Sequence, residues 1–328
     1  MTIIKLGKLK CLMGILFFYS SMSYSAFAPY NDLTLYAGSG QPQDLVVISG
    51  QSGIKNFRLA FINDTAKGAC TPAWGGQPDK RVAALWGQAL LQRMSSLGLK
   101  YTISMGGANG IDLSGSCSTV AALTQAYQNI IMIYNGAGLL GLDFDIENDS
   151  ENRTNLLAAL LNIQAQYPNL VLSFTIKVTP TGLLAKDQTF ITQANAAGLK
   201  FLVNIMAMDF YGTCAPMQVE QCAEQASNAT YSFLSGVFGQ TGAAVWNRMG
   251  VTIMIGLNDD LNSFSLPNAA QFNTFAKNNG LNLVSMWSVA RDHSCNESGA
   301  ASAVCSGASV NGQPFQTQDW QFSQAFSK

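Results

Sequence analysis

The stretch "GLDFDIE", residues 141–147, sets Asp143, Asp145 and Glu147 into seven residues that otherwise read as a buried strand. Only 11% of the chain is Asp, Glu, Lys or Arg, so three acids in one apolar run need a chemical reason. Side chains two apart on a strand point the same way, which makes the acids a row with about 6–7 Å between successive Cα atoms. Leu142, Phe144 and Ile146 take the other face. Burying three ionised carboxylates with no adjacent Lys or Arg is costly, so at least one should hold a proton, its pKa raised by desolvation and by its neighbours. Glu147, the long acid at the strand exit, is the candidate. A calcium or magnesium cluster, or a network that only holds the fold, is the competing reading. Hard cations take ligands converging from a loop, whereas a strand row ending in one long acid suits proton donation.

Outward from this stretch, short β-rich runs alternate with helical patterns. The runs are "LTLY" (33–36), "FRLAFI" (57–62), "YTISMGG" (101–107), "GLDFDIE", "LVLSFTI" (170–176), "FLVNIMAMDF" (201–210), "VTIMIGL" (251–257) and "LVSMWSV" (283–289). Between them lie helix-like stretches such as "STVAALTQAYQNIIMIYNGAG" and "NRTNLLAALLNIQAQYPN", several closed by the Gly or Asn expected after a helix. Eight βα units predict an α/β fold, a (β/α)8 TIM barrel of a single domain, whose usual size is ~250 residues. The apolar face of "GLDFDIE" then packs outward under helices, and the acids project into the barrel. A doubly wound open sheet is the alternative, but no GxGxxG or GxxxxGK[ST] loop follows any strand.

Residues 1–25 read as a signal peptide: Lys5, Lys8 and Lys10 precede the apolar "CLMGILFFY" and the small polar "SSMSYSA". That apolar run is shorter than the roughly 20 residues of a bilayer span, so cleavage near Ala26 is expected, with residues 26–328 as the catalytic domain and no membrane span left. The product would be secreted or periplasmic. Cleavage removes Cys11 and leaves Cys70, Cys117, Cys214, Cys222, Cys295 and Cys305, an even count that suggests disulfides. Proximity pairs Cys214 with Cys222 and Cys295 with Cys305, leaving Cys70 for Cys117, although sequence alone permits 15 connectivities. Zinc is disfavoured, since no CxxC knuckle exists and His293 is the only histidine. With 18 Lys and Arg against 19 Asp and Glu, there is no basic excess for nucleic acid. No cofactor or metal is expected, and a monomer acting on a neutral ligand is.

Two-carboxylate glycoside hydrolysis places its groups on opposite sides of the scissile bond, about 5–5.5 Å apart for retention. Acids from one strand approach the sugar from one side. They supply a general acid and its electrostatic support, and the nucleophile must come from another strand, from water or from the substrate.

"GLDFDIE" resembles the fourth-strand signature Asp-x-x-Asp-x-Asp-x-Glu of family 18 glycoside hydrolases, the chitinases and their relatives. "SMGG" (104–107) resembles the Ser-x-Gly-Gly of that family's third strand, "NIMAMDFYG" (204–212) its sixth-strand Met-x-Tyr-Asp, and "SMWSVARD" (285–292) its eighth strand with a Trp. The resemblance implies an exported chitinase acting on chitin or N-acetylglucosamine-containing oligosaccharides. It also implies substrate-assisted catalysis, in which the sugar's N-acetyl oxygen attacks its own anomeric carbon. Carried over by residue, Glu147 is the acid and then the base, Asp145 holds the acetamido group and shares a proton, and Asp143 supports Asp145. Met206 and Asp209 line the acetamido pocket, and Trp287 forms the apolar floor under the distorted sugar. Leu140 replaces the signature's first Asp, and Met208 replaces the Tyr, for which Tyr211 is the nearby substitute.

Gly106 and Gly107 give backbone room after the third strand. Trp74, in "CTPAWGG", is expected in a loop where it stacks on sugar, while Trp86, Trp246 and Trp320 are left to packing. Tyr36 and Phe61 face either the site or the core. Endo-β-N-acetylglucosaminidases acting on N-glycans and a non-catalytic chitin-binding lectin are the alternatives. Retention of Glu147 argues against the lectin, and the lack of GxSxG argues against a serine hydrolase.

Overall fold

The computed structural model describes residues 26–38, 40–215 and 217–328. The expected signal segment, residues 1–25, lies outside them. Eight parallel strands follow one another around a closed barrel. β1 is interrupted (Ala26–Phe27 and Tyr30–Asp32), and the others are β2 (Asn56–Asp64), β3 (Lys100–Gly106), β4 (Leu139–Ile146), β5 (Val171–Thr179), β6 (Leu202–Met206), β7 (Met249–Met254) and β8 (Leu283–Trp287). Each pairs with the next, and β1 closes the ring: Ala26 and Phe27 lie beside Leu283 and Val284 of β8, while Tyr30–Asp32 lie beside Arg58–Ala60 of β2. The change of partner falls at Ala28 and Pro29. The Ala28 N–H donates to Val284 O, and the Pro29 carbonyl accepts from Arg58 N, so the missing proline N–H costs no ladder bond.

"LTLY" is therefore not the first strand. The Asp32 carboxylate accepts from the Thr34 N–H and hydroxyl, both at 2.8 Å, and this Asx-type turn ends β1 before Leu33. β6 stops four residues short of the expected end, because Asp209 and Tyr211 turn the chain through positive φ of 49° and 45°. Past β7, the chain bends at Gly256 (φ 72°), where a Cβ would lie 1.9 Å from Ser306 O.

Helices cover the barrel. Val120–Ile133 starts at Thr119, whose hydroxyl accepts from Ala122 N, and Arg153–Gln166 starts at Asn152, which accepts from Asn155 N. Leu266–Asn279 carries a Ser265/Asn268 capping box and ends at Gly280 in the left-handed region. The expected outward face of β4 lies beneath these helices: Phe144 meets Tyr127 edge-on at 5.4 Å and Phe174 at 6.1 Å. The pairs Cys70–Cys117, Cys214–Cys222 and Cys295–Cys305 are all bonded. No helix among the described residues is long and apolar enough to cross a membrane.

Candidate active site

Asp143 and Asp145 enter the barrel from β4 on alternate positions, and Glu147 follows where the strand ends. Asp143 is the deepest and is fully buried. Its Oδ2 accepts from the Tyr30 hydroxyl (2.7 Å) and Ser104 Oγ (2.6 Å), and its Oδ1 from Ser173 Oγ (2.6 Å) and Thr175 Oγ1 (2.8 Å). Arg58, also buried, pairs with Oδ1 and donates to Ser173 Oγ at 2.7 Å, with its guanidinium carbon 5.2 Å from the Tyr30 ring centre. The cation missing from the sequence neighbourhood thus arrives from β2. Burial alone would lower the Arg58 pKa, but Asp143 and Tyr30 hold it above its ordinary value. The polar layer continues around the interior: Asn204 donates to Thr175 Oγ1 (3.0 Å) and to Thr252 Oγ1 (2.7 Å).

Above this layer, Asp145 and Glu147 contact one another. Burial, then the charges of Glu147 and Asp143, push the Asp145 carboxyl well above the usual carboxylate range. Burial also raises Glu147, against the opposing pull of Lys177. The Lys177 ammonium donates to the Glu147 carbonyl at 3.0 Å and lies 3.7 Å from its Oε2. Asp145 Oδ1 is buried and accepts no hydrogen bond from the protein. Two carboxyls that both resist ionisation in contact keep a proton between them, as an acid group must before it can donate.

The pair opens into a cavity of ≈ 470 Å³ at the C-terminal ends of the strands, the face on which barrel sites are built. Seven of the sequence-predicted residues line it: Asp145, Glu147, Gly106, Gly107, Met206, Asp209 and Trp287. Trp287, at the end of β8, stacks on Phe61 (5.8 Å between centroids, 20° between planes) and meets Tyr30 at 6.0 Å, so Phe61 takes its site-facing reading. Gly106 and Gly107 have φ of 96° and 87°; a Cβ on the first would lie 2.2 Å from Asp145 O, and on the second 2.8 Å from the Phe61 ring. They hold β3 against both the acid row and the aromatic wall. Asp209 accepts from Asp259 N at 2.8 Å, and burial, with the charge of Asp259, raises its pKa to about 6.

Two expected site residues lie elsewhere. Trp74 is not a loop platform. It sits in a short strand, Pro72–Trp74, paired with β2, is 0% exposed, and donates to the Tyr134 hydroxyl at 2.7 Å beside Trp86, while its neighbours Gly75 and Gln77 reach the cavity. Tyr211 is 71% exposed and does not line the cavity, so it is no substitute for the hydroxyl missing at Met208, which does. Tyr36 lies in the turn after β1 and does not line the cavity. Sequence reasoning passed over Tyr30, Arg58, Ser173, Thr175, Asn204 and Lys177. Alternation along "SFTIK" puts Ser173, Thr175 and Lys177 on one face, and Arg58 is the single charge within "FRLAFI"; both were readable signals.

No family model matches the chain. It is 29% identical over 286 residues to a probable bifunctional chitinase/lysozyme of Escherichia coli K12, covering 81% of this chain and 31% of that protein. It is also 29% identical over 287 residues to endochitinase 11 of Metarhizium anisopliae, covering 81% of this chain and 52% of that one. The chain thus spans from about a third to about half of these curated relatives' length. Active domain 2 of a thermostable chitinase from Pyrococcus furiosus, solved as catalytic-site mutants complexed with chito-oligosaccharides, superposes with a TM-score of 0.80 at 29% identity, over 92% of this chain and 93% of that one.

Proposed function

We propose that the chain is a family 18 glycoside hydrolase, an exported chitinase cleaving β-1,4-linked N-acetylglucosamine polymers with retention through substrate-assisted catalysis. The observation that carries the reading is the Asp145–Glu147 pair, two carboxyls in contact at the exit of β4 that share a proton and line an aromatic-floored cavity. Acids from a single strand reach the sugar from one side, which supports assigning the nucleophile to the substrate.

In this mechanism Trp287 supports the apolar face of the sugar at the cleavage site. Asp145 accepts the acetamido N–H. Glu147 gives its proton to the glycosidic oxygen as the acetamido oxygen attacks the anomeric carbon. The bond to the leaving sugar breaks, and a positively charged oxazolinium forms beside Asp145. Glu147, now a carboxylate, takes a proton from water, which attacks the anomeric carbon, reopens the ring and leaves Glu147 protonated again. Two inversions give retention. The disulfides support secretion or transfer to the periplasm, compartments in which they persist.

The test is product analysis on chitin oligosaccharides beside an N-glycosylated protein. The reading expects chitin fragments whose new reducing end is first the β anomer, and no cleavage where the sugar at the site is de-acetylated. Release of N-glycans alone would make the protein an endo-β-N-acetylglucosaminidase, and an α anomer would overturn the substrate-assisted mechanism.

A further inference from the structure

Lys177 lies 30 positions from Glu147 in sequence, yet it stands against the acid itself. It follows Ser173 and Thr175 on the inward face of β5, at the mouth of the barrel, and its side chain is half exposed. Its ammonium donates to the Glu147 carbonyl at 3.0 Å and lies 3.7 Å from Glu147 Oε2. Asp145, Met206, Trp287 and Tyr30 line the cavity together with Glu147, but Lys177 does not. The lysine therefore flanks the acid outside the pocket that would hold the sugar being attacked. An acid that protonates a glycosidic oxygen stands at the boundary between two sugars, so its outer flank belongs to the leaving one. When Glu147 carries its proton, the state that begins the reaction, Lys177 has lost the charge of its ion-pair partner and retains a neutral carbonyl. The cation then faces the leaving-group side, with its opposing charges on Asp145 and Asp149.

We propose that Lys177 is a specificity-determining residue: it excludes cationic, de-N-acetylated sugars from the leaving-group position and admits neutral or anionic ones. This rests on the glycosidase reading above and names the class of sugar accepted on the far side of the scissile bond. The acetamido group needed for attack lies on the other sugar, so the substrate-assisted step places no acetylation demand on the leaving one. Lys177 supplies that demand by charge.

The lysine also bears on the acid. The charged and titratable groups around Glu147 are Asp145 on its own strand, Asp143 and Arg58 below, Tyr30 from β1, Asp209 and Asp259 across the cavity, and Asp149 in the following turn. Lys177 is the cation among these that pulls the Glu147 pKa down by direct contact, against burial. Removing it lets burial raise Glu147 further, so the protonated acid persists to higher pH.

The experiment digests partly de-acetylated chitosan near pH 5 with the native chain, Lys177→Met and the charge-keeping Lys177→Arg, and sequences the new non-reducing ends by mass spectrometry. Native protein and Lys177→Arg should show almost only acetylated sugars there. Lys177→Met should raise the share of glucosamine about tenfold, the scale of two like charges ~7 Å apart near a protein surface with salt screening. On neutral chito-oligosaccharide, its basic limb of kcat/KM should move to higher pH, a change that mere loss of packing does not produce. Cleavage with an unchanged glucosamine share in Lys177→Met overturns this proposal alone. Failure of the native chain to cut the neutral oligosaccharide overturns the glycosidase reading, and this one with it.

Discussion

Arg58 of β2 reaches past β3 inside the barrel to form a buried ion pair with Asp143 of β4, and Ser173 of β5 bonds both. An isolated charge at that depth is far costlier than the pair, so each partner depends on the other. Arg58→Met should cost about 3–5 kcal/mol in chemical denaturation, because it strands Asp143. Replacing both partners, as Arg58→Met with Asp143→Asn, should cost less than the sum of the two single changes. Additive losses would show that the pair is not coupled.

Glu147→Gln keeps the size and polarity of the side chain and removes the transferable proton. Turnover should fall about 10²-fold or more while oligosaccharide binding persists in calorimetry. Asp145→Asn should also be severe, since an amide cannot stabilise the cationic oxazolinium. Equal loss of binding and turnover in Glu147→Gln would mean that Glu147 only holds the ligand.

Asp209 has a folded pKa of about 6 against an ordinary 3.8. The native state therefore binds more protons than the unfolded chain between these values, so this group's contribution to stability falls as pH rises from about 4 to about 6. Asp209→Asn keeps the oxygen that accepts from Asp259 N and removes that slope. The variant should match the native melting temperature near pH 4 and exceed it at pH 7. A constant difference across that range would refute the link to titration.

The two tryptophans separate site from core. Trp287→Ala should lower kcat/KM more than stability, as its face meets the cavity. Trp74→Ala should cost about 3–5 kcal/mol of stability, because it empties a buried site, whereas Trp74→Phe should leave KM for chito-oligosaccharides within about twofold of native. A kinetic defect in a stable Trp74→Phe would return that residue to the site.

With all six cysteines from Cys70 onward paired, thiol titration of the denatured, unreduced chain starting at Ala26 should find no free thiol. Peptide mapping should recover the three bridges, and reaction of any one cysteine would exclude this pairing.

Local pattern determined much of this protein. Alternation in "GLDFDIE" sets the acids on one face and Leu142, Phe144 and Ile146 on the other, because the pleat repeats every two residues whatever the fold around it. Seven of the eight expected strands, and the acid at the exit of the fourth, follow from such short-range periodicity. The expectations that failed depended on where a chain segment turns. "LTLY" has strand-like residues, but the Asp32 side chain bonds the backbone first, and Trp74 joins a strand that exists only because β2 lies beside it. Closure of the barrel decided the remainder. Tyr30, Arg58, Ser104, Ser173 and Thr175 converge on Asp143 from four different strands, and Lys177 meets Glu147 across 30 positions of sequence. The charge state of each acid depends on those partners and on the water that the closed barrel excludes, and neither is encoded within a single strand.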